Sequence, residues 1–128
     1  MSDEIHTCLF CNIEPNLFVL ENELAFAMSD GFPVTNLHSL IIPKRHVSSY
    51  FDLTSEELLA CNELIKELKM KISESDPTVT AFNVGINIGK DAGQTIFHCH
   101  IHLIPRRKGD VPNPKGGVRH IIPGKGFY

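Results

Sequence analysis

Apolar and polar positions alternate with period two along residues 96–105, Ile-Phe-His-Cys-His-Ile-His-Leu-Ile-Pro. Such alternation predicts a strand with one face buried. Phe97, Cys99, Ile101 and Leu103 make the apolar set. His98, His100 and His102 make the other, successive members about 6.6–6.8 Å apart. A helical period governs residues 54–72. Thr54-Ser55-Glu56-Glu57 reads as a capping box, and Leu58, Cys61, Ile65, Leu68 and Ile72 follow at three- and four-residue steps, with Leu64 beside them. The pattern predicts an amphipathic helix of roughly 20 residues, stopped by residues 73–77. Short apolar runs at 17–21 and 24–28 read as a hairpin, and 29–33 as a loop. Residues 38–43 give a third strand, with Pro43 at its end where no ladder donor is lost. Residues 78–88 give another strand, and Gly89 to Gln94 a loop. Cys8 opens the ordered part, and residues 109–128, rich in proline and glycine, form an irregular tail. Strands with one main helix and hairpin spacing predict an α+β fold with a mostly antiparallel sheet.

At 128 residues the chain, 1–128, reads as one domain able to bury its own core. Twelve basic and 15 acidic residues leave a formal charge of −3, so no duplex-binding electrostatic footprint is expected and nucleic acid is excluded as a partner. Met1 to His6 carries neither a basic nor an apolar leader segment, and no apolar run is long enough to span a bilayer. A cytoplasmic protein with no membrane partner is expected. On that reading the four cysteines, at 8, 11, 61 and 99, are reduced thiols.

Three imidazoles in register cannot share one ion. Neighbours along the strand can, but the outer pair stands about 13 Å apart. Cys8-Leu9-Phe10-Cys11 offers two thiolates, which fit a zinc site, a redox pair or two buried apolar thiols. Zinc would need two further ligands, and His46 and His98 are candidates. His100 and His102 then remain on the strand, with His38 beginning another strand that can approach them. Imidazoles without an adjacent serine–aspartate pair point to a histidine nucleophile, since an imidazole nitrogen attacks phosphorus well. Backbone amides of Gly93-Gln94-Thr95 could receive phosphoryl oxygens.

The run His98-Cys99-His100-Ile101-His102-Leu103-Ile104 resembles the signature of the histidine-triad nucleotide hydrolases and transferases. The likeness extends from about Cys8 to Arg106 through Asp30, the segment His38 to His46, Asn87 and Ala92 to Thr95. The resemblance implies a five-stranded antiparallel sheet with one long helix, paired as a homodimer. It implies that His100 is the nucleophile on an α-phosphate, through a nucleotidyl-histidine, with His102 at the phosphoryl and bridging oxygens and His38 beside them. It further implies that Asp30 binds ribose hydroxyls, that Asn87, Gln94 and Thr95 contact the nucleotide, and that Cys8, Cys11, His46 and His98 hold a structural Zn²⁺. The tail resembles bacterial diadenosine-tetraphosphate-type hydrolases, which makes dinucleoside polyphosphates the expected substrates. There Arg106, Arg107, Lys115 and Arg119 could neutralise further phosphates. A nucleoside phosphoramidase or nucleotidyl transferase is the alternative within the family. A nucleotide-binding zinc scaffold with little turnover is the alternative outside it. His6 and His120 are left unassigned and read as surface residues rather than ligands.

Overall fold

The computed structural model describes residues 2–128; Met1, the first residue of the stretch read for a leader, lies outside them. A short helix α1 (Ser2–Thr7) leads into five strands, β1 (Leu20–Glu21), β2 (Ala25–Ser29), β3 (Ser39–Pro43), β4 (Val79–Gly85) and β5 (Ile101–Arg107). They form one antiparallel sheet in the order β1-β2-β3-β5-β4. The long helix α2 (Ser55–Ser75) covers one face. The architecture is α+β, as the patterning predicts. Among the described residues no helix is long and apolar enough to cross a membrane.

Alternation along β2 and β3 divides the core. Ala25, Ala27 and Ile41 meet Ala60, Cys61, Leu64, Leu68 and Ile72 of α2, together with Val79, Ile101 and Leu103. Phe26, Leu40 and Ile42 turn to the opposite face, where Phe10 covers them. Strands covered on both faces read as continuous apolar runs rather than alternating ones, which is how residues 39–43 read. Small Ala25 and Ala27 let α2 lie close to the sheet. Leu58 and Ile65, expected inside the helical stripe, sit half-buried at its margins.

The capping box forms as read. Glu57 N–H donates to Thr54 Oγ1 (3.1 Å) and Thr54 N–H to Glu57 Oε1 (2.9 Å). Glu57 is itself buried, and Arg45 clamps both its oxygens at 2.8 and 2.9 Å. Those Arg45 bonds hold the carboxyl down to about 2, against the upward push of burial. The segment after β3 is thereby tied to the start of α2.

Four expectations need correction. Cys8 does not open the ordered part, because α1 precedes it. The first strand begins at Leu20, and residues Pro15–Leu17 form a 3-10 turn instead. Phe18 leaves the strand pattern to stack on Phe26 at 4.1 Å. The histidine strand begins only at Ile101, and residues 96–100 are irregular. Its pairing with β3 ends at Ile41↔Ile101. Two registers further, Pro43 has no N–H to offer, and its carbonyl accepts from the His98 side chain (Nε2, 2.7 Å) rather than from a ladder amide. The alternation breaks there: Phe97 is 49% exposed, while His98 and Cys99 are both buried. β4, expected to reach residue 88, stops at Gly85 for the same reason, since its last partner is His102.

Candidate active site and metal centre

Two side-chain clusters flank His100. The first joins Asp30, at the end of β2, with His38, just before β3, and His102 in β5. The β3 register sets Leu40 opposite His102, which brings His38 across from it. Val34 N–H donates to His38 Nδ1 (3.1 Å), so the ring proton resides on Nε2. That N–H faces His102 Nδ1 at 2.9 Å and Asp30 Oδ2 at 3.3 Å. His102 accepts at Nδ1, which places its own proton on Nε2, the free edge of the ring. Burial lowers the pKa of both imidazoles; Asp30 opposes the shift, and for His102 the neighbouring His100 and His38 add to it. Asp30 divides its oxygens, Oδ1 accepting from Phe32 N–H (2.8 Å) in an Asx turn. The three groups lie close enough to hold a cation, but a proton on His38 Nε2 points into their centre. The set is arranged to share a proton.

His100 stands between the clusters. Its Nδ1–H donates to the His98 carbonyl at 2.8 Å, since that oxygen only accepts. Nε2 therefore carries the lone pair. Phe10 packs edge-on against the ring, with centroids 5.0 Å apart, and His102 stands 5.3 Å away.

The second cluster is Cys8, Cys11, His46 and His98, whose ligand atoms all lie within 4.8 Å of one another. His98 Nε2–H is committed to Pro43 O, which turns the Nδ1 lone pair inward. That Nδ1 lies 3.5 Å from Cys8 Sγ, 3.4 Å from Cys11 Sγ and 3.3 Å from His46 Nδ1, and Cys11 Sγ lies 3.1 Å from His46 Nδ1. Zn–S near 2.3 Å and Zn–N near 2.0–2.1 Å imply tetrahedral edges of roughly 3.3–3.8 Å. The residues fit zinc in donor type, number and spacing. Burial, with Cys8 beside it, raises the Cys11 thiol to about 11, a position that a bound cation reverses by favouring thiolate.

The other expected nucleotide contacts are placed unevenly. Asn87 is exposed just beyond β4, and Thr95 is exposed in a cleft lined also by Cys8, His46 and Ser48. Gln94 is buried. Its Oε1 accepts from Gly89 N–H, and its Nε2 donates to Ser48 O and Ile96 O, so both ends of the amide brace the loop. Gly93 and Gln94 N–H are spent on Lys90 O and Gly89 O. The basic residues near the tail are also committed. Arg106 is clamped by Asp110 and bonded to Asn83, and Arg107 pairs with Asp76. Lys115 and Arg119 lie over the Tyr128 ring, at 5.0 and 4.7 Å from its centroid.

Sequence reading missed the residues that orient these groups. Phe10 lies inside the Cys-x-x-Cys pair and was legible only as a spacer. Leu37 adopts φ 72°, a left-handed turn that delivers His38 to the cluster; a leucine there carries no turn signature. The backbone groups of Val34, Pro43 and His98 carry none at all.

A model of the HIT domain matches residues 12–109. Adenylylsulfatase HINT3 of Arabidopsis thaliana is 37% identical over 110 residues, which span 80% of this chain and 54% of that protein. Among solved structures, a Zn-bound histidine triad family protein from Mycobacterium smegmatis superposes with a TM-score of 0.75 at 34% identity, covering 83% of this chain and 79% of that one. Plasmodium falciparum diadenosine triphosphate hydrolase, solved with Cyclomarin A, gives a TM-score of 0.72 at 29% identity, covering 79% and 68%.

Proposed function

Because the chain belongs to the HIT domain family, we propose that it is a nucleotide hydrolase working through His100. The observation that carries the reading is the Nδ1–H bond from His100 to the His98 carbonyl, which leaves the Nε2 lone pair free to attack. Nε2 forms a bond to the α-phosphorus and the bond to the leaving oxygen breaks, giving a nucleotidyl-histidine. The ring then carries positive charge, which the His98 carbonyl stabilises through the same hydrogen bond. A polyphosphate leaves as its own anion and needs no proton. His102 Nε2–H donates to the phosphoryl or bridging oxygen, and His38 keeps that proton in place by occupying Nδ1. Water then attacks phosphorus, the P–N bond breaks with its electron pair returning to His100 Nε2, the water's proton passes by way of Nε2 to solvent, and a mononucleotide and neutral His100 result.

Asp30, Asn87 and Thr95 are the residues this reading assigns to ribose and phosphate, with Gln94 bracing the loop before Thr95. Cys8, Cys11, His46 and His98 would hold zinc, which would supply a structural cross-link and no step of the reaction. The two enzymes named among the similar proteins differ in leaving group, sulfate in one name and a nucleotide in the other. Dinucleoside polyphosphates are the reading favoured here, on the resemblance of residues 110–123 to bacterial diadenosine-tetraphosphate-type hydrolases. Mass spectrometry after mixing with diadenosine tetraphosphate should trap a nucleotidyl adduct on His100. His100→Ala should lower turnover by at least about 10³-fold. An adduct elsewhere, or an unimpaired variant, overturns the assignment.

A further inference from the structure

Beyond His102, β5 continues on the same sheet face through Ile104, about 6.7 Å further on. Ile104 and Asn83, its partner across the β4 ladder, floor a cavity of about 620 Å³. Val34 and Thr35 wall it on one side, and Val118 and Phe127 of the tail on the other. The volume lies within the range of small-molecule sites, about 300–1,000 Å³. It shares a wall with the catalytic cluster, because Val34 is the residue whose N–H fixes the His38 tautomer.

The tail that closes this cavity is built, though it has no long element. Arg119 donates to the carbonyls of Lys125 and Gly126, and His120 Nε2–H to that of Lys115. Gly126 packs so tightly on the His120 ring that an added Cβ would stand 2.0 Å from Nδ1. Around the cavity, however, apolar groups face open space: Val34 is 72% exposed, Val118 60% and Phe127 58%. A contiguous apolar surface beside a reactive centre marks a binding site. Asn83 adds a polar group. Its Oδ1 accepts from Arg106, while its Nδ2 faces Gly117 and is left to donate to a ligand. The charges of Arg106 and Arg107 are cancelled by Asp110 and Asp76. The cavity therefore suits a neutral planar ring that stacks on Phe127 and accepts from Asn83, and it does not suit a polyphosphate.

We propose that this cavity receives the nucleoside of the leaving group, the end of a dinucleoside polyphosphate expelled when His100 attacks. The proposal rests on the hydrolase reading above and adds a second nucleoside site to it. Ile104 lies two residues beyond His102 on β5, a strand step of about 6.7 Å that a short polyphosphate chain can span.

The chain contains no tryptophan, so Phe127→Trp places a single indole at the cavity wall. Titration with diadenosine tetraphosphate should change its emission saturably, and AMP should do so at least about tenfold more weakly. An equal response to AMP, or none to the dinucleotide, overturns the proposal. Val118→Glu, at an exposed position outside the catalytic groups, should lower kcat/KM for diadenosine tetraphosphate about tenfold while leaving that for an adenosine phosphoramidate within about twofold. Equal losses on both substrates, or no loss on either, overturn it. If the wild type turns over neither compound, the hydrolase reading fails, and the tryptophan titration alone still decides the cavity.

Discussion

Val34 N–H, by donating to His38 Nδ1, obliges the ring proton to sit on Nε2, and that proton is what His102 Nδ1 meets. Both imidazoles must be neutral for this alignment. Burial lowers both pKa values, so each ring takes its proton only below 6.5. As pH falls through that window an unfolded chain binds protons that the folded one refuses, and stability declines toward acid. The acid limb of kcat/KM should accordingly centre below 6.5. Asp30 opposes the shift at both rings, so in Asp30→Asn the two imidazoles should titrate lower still, as followed by NMR. A limb centred above 6.5, or imidazoles that titrate higher in the variant, contradicts this picture. The imidazoles themselves were legible in the sequence because His-x-His-x-His is conspicuous. Their tautomers were not, because backbone groups contributed by Val34 and His98 set them.

Among the elements, the stretch from α1 through Cys11 depends most on a partner outside itself. Among residues 5–11 it holds few apolar side chains against the sheet, Phe10 being the one that is buried. Zinc held by Cys8, Cys11, His46 and His98 would fasten it to the sheet. About one zinc per chain is expected by elemental analysis of the purified protein. Chelation or Cys8→Ala should lower Tm by roughly 10 °C and raise hydrogen exchange in residues 8–13 first. Absence of metal in carefully prepared protein, or uniform loosening, counts against it. Helix α2 was legible because a capping box and a long apolar period agree over many residues. The start of β5 was not, because alternation alone does not reveal that the His98 ring replaces a ladder amide at Pro43.

At the scale of the molecule, β4 forms one edge of the sheet, with Val84 on it 49% exposed, and Leu59 and Met70 of α2 are exposed as well. Unpaired edges with apolar groups invite pairing, and the resemblance implies a homodimer. Light scattering should give twice 14.3 kDa, and Val84→Lys should shift the population toward monomer; a fully active monomer at all concentrations removes this expectation. The α+β class and the antiparallel sheet were legible from the apolar periods. The folded tail was not, because its order comes from contacts such as Gly116 and Gly126 against each other and Arg119 on Tyr128, which no local pattern announces. The break in β5 carries a practical consequence. The carbonyls of Pro43 and His98 are free to hold the two imidazoles only because regular pairing stops before residue 100. A redesign that extends the strand through 98–100 would exchange these two ring bonds for ladder bonds, pulling His98 out of the Cys8/Cys11/His46 cluster and releasing the His100 tautomer. The irregular residues before Ile101 are thus a place where added regularity costs chemistry, and a stabilised variant at these positions has to be screened for turnover as well as for melting temperature.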